Sequence, residues 1–411
     1  MPCETRRAVP LASALDLPEL DYQDSTLRGE RFHDVLSQAA ARGWLARTAL
    51  GFLVLERDLA IEILRDHRLA FPALQMLLLR GVTEGPIWER TVKGVMVKVG
   101  EPHLRLRRLV APAMSPRSIA ALRARVRAFA EDRWRAVVAA GRCEFVSSFA
   151  KPIPSAVIAD LLGLPGEADR LAHWSTMLQA VFKLGAETDR AEVERTYEEV
   201  RDYVLELLKE RRQTPGEDFI SAIATHRENG DRLSDDECVT AVVAVISGGT
   251  DTTQAQLGHG MRLFAEHPEQ WELLAREPSL AAQAANEVLR FEPITPFTAR
   301  MASRDVEYRG VTFPKGTLLF ACAERANRDP SVFERPNKFD ISVDRGRAPI
   351  LTFGFGDHFC LGAQLARMEL AETFAFLAPR MRRLCLDDKP VFGSVIGIYS
   401  MESVPIAFEP G

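Results

Sequence analysis

Cys360 stands in the stretch LTFGFGDHFCLGAQLARMEL (351–370), between a glycine-rich segment and an apolar-periodic run. The pattern predicts that a helix begins at this cysteine. The first N–H groups of a helix lack intrahelical partners and carry the positive end of its dipole, and both effects favour a thiolate. Gly354, Gly356 and Gly362 carry no side chains, so a flat, bulky group could approach the backbone closely, with Phe353 and Phe359 as aromatic flanks. Such a site suits a soft metal whose redox behaviour depends on N–H donors to sulfur. A free cysteine buried at a helix start satisfies the same segment without a metal.

Other residues carry potential chemistry at suggestive spacings. ISGGTDTTQ (246–254) sets Gly248 and Gly249 inside a helical run, where each glycine costs about 1 kcal/mol against alanine. Close approach of a ligand would justify the pair; so would helix–helix packing. Thr252 can return its hydroxyl to the Gly248 carbonyl and open the helix locally. Asp251 beside it makes an acid–alcohol pair suited to moving protons. Glu287 and Arg290, three apart in ANEVLRF (285–291), form a helical pair worth only about 0.2–0.5 kcal/mol if exposed. His103 and Arg107 are four apart in GEPHLRLRRLVAPAMSP, and Arg300 lies in TARMASRDVEYRGVTFPKG. Any one of these basic residues alone reads as a solvated charge.

The elements that must position these residues are mostly helices. Amphipathic or apolar runs predict helices over 117–141, 233–268, 279–291 and 360–378. Ser234 and Glu237 make a capping box for the second, and Pro268 marks its far end. At ~1.5 Å per residue that helix would cross a whole domain. VEYRGVTF (306–313) and TLLFAC (317–322) read as strands joined by a hairpin turn at Pro314, Lys315 and Gly316. The expected fold class is therefore mainly α with a small β-sheet subdomain. With no linker or repeat in 411 residues, 1–411 is expected to form a single domain. The chain is 46% hydrophobic and 27% charged with a net charge of −5, which argues against nucleic acid as a partner. Six scattered cysteines without a CxxC favour a reducing compartment. Neither a signal peptide nor ~18 consecutive apolar residues is present, so the expectation is a soluble, cytoplasmic protein with no membrane contact.

FGFGDHFCLG (353–362) resembles the haem-binding loop of the cytochrome P-450 family, Phe-Gly-x-Gly-x-His-x-Cys-x-Gly. The resemblance implies the P-450 fold, with the long central helix crossing over haem b and the Cys360 thiolate as axial iron ligand. It implies cofactor contacts from Phe353, His358, Gly362 and Gly248, and places His103, Arg107 and Arg300 on the haem propionates, joined by His358. Burying those carboxylates unpaired would be costly. Asp251 and Thr252 take the acid and alcohol positions of the oxygen-binding groove. Glu287 and Arg290 match the family's Glu-x-x-Arg, with Arg345 from the following meander as third member and Arg347 as the alternative. The likeness runs from about residue 100 to the C-terminus, and 1–100 fits loosely.

That family implies a monooxygenase that inserts one oxygen atom from O2 into a lipophilic substrate, by hydroxylation or epoxidation. By analogy Leu78, Val181, Ala244, Ile294, Phe297 and Ile398 line the substrate pocket. With no room for a fused reductase and no GxGxxG context, electrons are expected from a ferredoxin or similar donor. NAD(P)H would then serve only through partner proteins. Arg105, Arg108 and Arg117 could form a basic patch for that donor. The protein is expected to be a monomer. Oxidative coupling, or a peroxygenase, on the same scaffold is the enzymatic alternative. A non-catalytic haem-binding sensor is the other, and it would have little use for the Asp251–Thr252 pair.

Overall fold

The central helical run begins where Ser234 and Glu237 close their capping box, with N–H to oxygen distances of 2.8 and 3.3 Å. In the computed structural model, which describes residues 9–180, 189–346 and 348–411, this run is two helices rather than one. Asp235–Gly249 and Asp251–Glu266 meet at Thr250, whose φ of −89° and ψ of −71° break the regular ladder. Pro268 opens the next helix, Pro268–Arg276, where its missing N–H is harmless. The basic run also divides, at Leu122, into Pro116–Ala121 and Arg123–Val137. Gly141 then closes it in the left-handed region.

The strand expectation is corrected. Val306–Tyr308 pairs with Val311–Phe313 through Arg309 and Gly310, both at positive φ. Two such residues make the turn whose twist suits a hairpin. Pro314 cannot reach positive φ, and the segment it begins leads instead into a different sheet. There Leu318–Cys322 runs antiparallel to Phe297–Ala302 and parallel to Gly51–Val54, inside a six-stranded sheet. That sheet ties the first sixty residues to the last third of the chain.

A second tie is electrostatic. The helix Gly29–Arg42 presents His33, whose Nδ1 lies 2.6 Å from Glu324 and whose Nε2 lies 3.4 Å from Glu292. Both carboxylates are buried, and Arg262 bonds Glu292 at 2.6 Å while Arg328 bonds Glu324 at 2.7 Å.

The largest core surrounds the central helix pair and includes Phe145, Phe149, Trp174, Phe264 and Trp271. Side chains of this size contribute roughly 1.5–3 kcal/mol each when fully buried. Among the described residues no helix is long and apolar enough to cross a membrane.

Candidate active site

The cysteine loop is a series of tight turns. Gly356 adopts φ +73°, and a Cβ there would sit 3.0 Å from the Leu64 carbonyl, so only glycine fits without strain. Short 3-10 turns at Leu351–Phe353 and Gly356–His358 fold the loop back, and the Cys360 N–H donates to Phe353 O at 2.9 Å. The helix that follows is Ala363–Leu377, so Cys360 lies three residues before it rather than on its first residue. The cysteine keeps an accessible edge, yet burial is the main influence on its thiol and raises its pKa. The Gly362 N–H, Arg107, Arg367 and the Ala363 N–H pull the other way. The helix-terminal donors expected from the sequence are thus present but outweighed. A bound metal cation reverses that balance, because a coordinating thiol gives up its proton.

Around this loop the structure gathers four basic residues. His358 and His103 lie ring against ring, with centroids 4.0 Å apart. His103 is buried and holds two backbone carbonyls, Val95 O at 3.0 Å and Asp357 O at 2.9 Å. Arg107 donates to Phe359 O at 2.7 Å. Arg300, on the strand Phe297–Ala302, is buried and, among the described residues, donates only to its neighbour's carbonyl, Ala299 O. Burial lowers its pKa to about 10. Burial, then His103, Arg300 and Arg107, push His358 down to about 3, and its Nδ1 is sealed with no partner among the described residues. Among the described residues no carboxylate is hydrogen-bonded to Arg107, Arg300 or His358. A water-sized cavity of about 20 Å³, lined in part by Arg300, Asp357 and His358, opens beside them. Burying cations without counter-charge is costly unless an anion completes the set. These residues fit a group that brings its own carboxylates, as haem does.

The central helix divides the work of its two glycines. A Cβ on Gly249 would lie 2.3 Å from Ile158 Cδ1, so this glycine serves helix packing. A Cβ on Gly248 would meet nothing within 4 Å. Ala244, one turn earlier, is exposed like Gly248, so this face of the helix lines open space. Thr252 Oγ1 donates to the Gly248 carbonyl and Thr250 Oγ1 to Ile246 O at 3.0 Å. Asp251 accepts from Gln179 Nε2 at 2.8 Å and from Ser175 Oγ at 3.4 Å. Gln179 Nε2 also lies 2.9 Å from Ser247 O. Sequence reasoning missed Gln179 and Ser175; the signal was two polar residues four apart on the apolar face of WSTMLQAV (174–181).

Glu287 is shared. Arg290 reaches its two oxygens at 2.7 and 2.8 Å, and Arg345 does so at 3.0 and 2.7 Å. Arg290 also donates to Asn327 O and Pro336 O. Arg347, the alternative third member, lies outside the described residues.

The expected pocket residues disperse. Val181 lies outside the described residues. Leu78 is exposed and Ile398 half-buried. Ile294 is buried, and Phe297 packs on Tyr22 and Phe32 at centroid distances of 4.8 and 5.7 Å, so these two serve the core. Only Ala244 stands on the open helix face beside Gly248. The expected basic patch is also corrected. Arg105 bonds Asp231 and Glu237 at 2.6 and 2.7 Å, and Arg108 bonds Glu101 at 2.8 Å with Glu228 at 3.5 Å. Arg117 remains exposed.

Comparison with known proteins agrees with this geometry. The cytochrome P450 family profile matches residues 88–384. The luteothin monooxygenase of Streptomyces thioluteus is 36% identical over 401 residues, covering 96% of this chain and 96% of that protein. The steroid C26-monooxygenase of Mycobacterium tuberculosis is 33% identical over 324 residues, covering 77% and 86%. The crystal structure of CalO2 superposes with a TM-score of 0.88 at 29% identity, over 96% of this chain and 100% of that one. A thiol at the head of a glycine-turned loop, a basic cluster with no carboxylate bonded to Arg107, Arg300 or His358 among the described residues, and relatives of this length lead to one conclusion: the chain belongs to the cytochrome P450 family and is a haem-thiolate monooxygenase.

Proposed function

We propose that this monooxygenase oxidises a lipophilic organic substrate by hydroxylation or epoxidation, with Asp251 and Thr252 as its proton relay. Cys360 would hold the iron, with His103, Arg107, Arg300 and His358 on the propionates and Phe353, Gly362 and Gly248 lining the cofactor. Once bound, the cofactor supplies dioxygen activation and the oxidising power. The chain's own residues do the rest. Thr252, bonded to the Gly248 carbonyl, keeps a hydroxyl on the open helix face where it can orient a water. Asp251, held by Gln179 and Ser175, can pass a proton toward that hydroxyl when those bonds exchange. Electrons come from a separate ferredoxin-type donor that draws on NAD(P)H, and the protein works as a cytoplasmic monomer.

The observation that carries this reading is the empty space over Gly248 flanked by a carboxylate and a hydroxyl. Asp251→Asn is expected to slow turnover, with a larger solvent isotope effect. Thr252→Ala is expected to keep electron consumption while product yield falls. Equal coupling of electrons to product in wild type and Thr252→Ala would refute the relay.

A further inference from the structure

Arg90 lies on the helix Pro86–Lys93, which packs against Arg190–Gln213 and against the first half of the central helix. Lys93, about one turn on, bonds Asp236 at 2.8 Å and so fixes this helix over the start of the central one. The Arg90 guanidinium stands over the Tyr197 ring, 5.5 Å from its centroid. Its Nη1 is sealed from solvent with no hydrogen-bond partner among the described residues. Among the described residues no carboxylate is bonded to it. Basic residues nearby behave otherwise: Lys93 has Asp236, Arg105 has Asp231 and Glu237, and Arg190 has Glu194.

The closest parallel to Arg90 is Arg300. Arg300 is buried and Arg90 half-buried, loss of hydration lowers both to about 10, and among the described residues neither has an acid bonded to it. At Arg300 the cofactor's carboxylates account for the pattern; at Arg90 the cofactor does not, because its helix faces the opening turns of the central helix. Twelve residues separate Asp236 from Gly248, a rise of ~18 Å. Stacking on tyrosine offsets only part of the cost of half-burying a cation and sealing its Nη1. The surroundings are otherwise apolar: Leu77, Val82, Ile87 and Val193 form one cluster, with Met177 packed against it.

We propose that Arg90 binds the carboxylate of a long lipophilic acid whose far end lies at the Gly248 turn. This rests on the monooxygenase reading above and adds to it a class of substrate. A guanidinium suits the role because its planar donors match a carboxylate.

The test uses the haem-loaded protein. Wild type, Arg90→Leu and Arg90→Lys are titrated with hexadecanoic acid and with hexadecan-1-ol, read as a spin-state shift in the absorption spectrum. Wild type is expected to prefer the acid at least ~10-fold, the scale of one charged hydrogen bond. Arg90→Leu should abolish that preference and leave alcohol binding unchanged, and Arg90→Lys should restore part of it. Without ligand, Arg90→Leu should melt at the same temperature as wild type or higher, since a half-buried cation with an unpartnered nitrogen is gone. If Arg90→Leu does not fold, Arg90→Gln takes its place. No preference for the acid in wild type, including no binding of either probe, overturns the proposal, as does a preference that survives the substitution. Loss of the thiolate-type carbon monoxide band in wild type would instead sink the haem-thiolate assignment, so the two failures are distinguishable.

Discussion

Glu287 and Arg300 sit in regions that handle buried charge in opposite ways. Around Glu287 the chain supplies both signs: two arginines reach one carboxylate, and Arg290's remaining donors end on carbonyls. Around Arg300 the cations outnumber the acids: Arg107 and His358 stand close by, and among the described residues no carboxylate is bonded to any of the three and His358 Nδ1 has no partner. A saturated network is complete as folded and can only hold the fold together. An unsaturated one stores a cost that a ligand removes. At these two sites the unpaired charge marks where a ligand would bind, and the paired one marks scaffold.

The contrast can be broken by experiment. The largest effect is expected at the ligand itself: Cys360→Ser should abolish turnover and the thiolate-type carbon monoxide band. The circular dichroism should be unchanged, because the loop is held by its backbone. Glu287→Gln should come next, since it leaves two arginines uncompensated. A loss of ~3–5 kcal/mol is expected, read as a lower urea midpoint with poor haem retention. Arg300→Leu should do the reverse to the cofactor-free chain, leaving its urea midpoint unchanged or raised while haem affinity falls ~10–100-fold. Equal destabilisation by both substitutions would erase the distinction.

His33 offers a titration at a buried site that holds charges of both signs. Burial opposes its charged form, but Glu292 and then Glu324 outweigh burial and raise it to about 9. A histidine raised on folding contributes fully below its unfolded value near 6.5 and loses that contribution as pH rises through about 9. Unfolding free energy should fall across that window by an amount on the order of 3 kcal/mol, and His33→Gln should flatten the fall. Smallest are the adjacent glycines. Gly249→Ala should cost about 1–3 kcal/mol by overpacking Ile158, whereas Gly248→Ala should gain up to about 1 kcal/mol in the cofactor-free protein.

Much of the site was legible because its residues act through local spacing. The loop 353–362, the i,i+3 pair at 287 and 290, and the box at 234 and 237 each bring their partners within a few residues. Arg345 followed from the resemblance. What escaped was set by distant contacts. The break at Thr250 depends on hydroxyl bonds and on Ile158, from another helix. Leu318–Cys322 found its second partner at Gly51–Val54, far back in the chain. Arg105 and Arg108 lost their apparent freedom to Asp231, Glu237 and Glu228, more than a hundred residues away. Phe297 is expected in the pocket by family analogy, but Tyr22 and Phe32 pack on its ring.

Three successive carbonyls at the bend, those of Ile246, Ser247 and Gly248, each accept from a side chain: Thr250, Gln179 and Thr252. The kink is consequently written into the resting chain and does not wait for an occupant. A molecule arriving at that groove meets a surface already shaped, so little of its affinity is diverted into prising a helix apart.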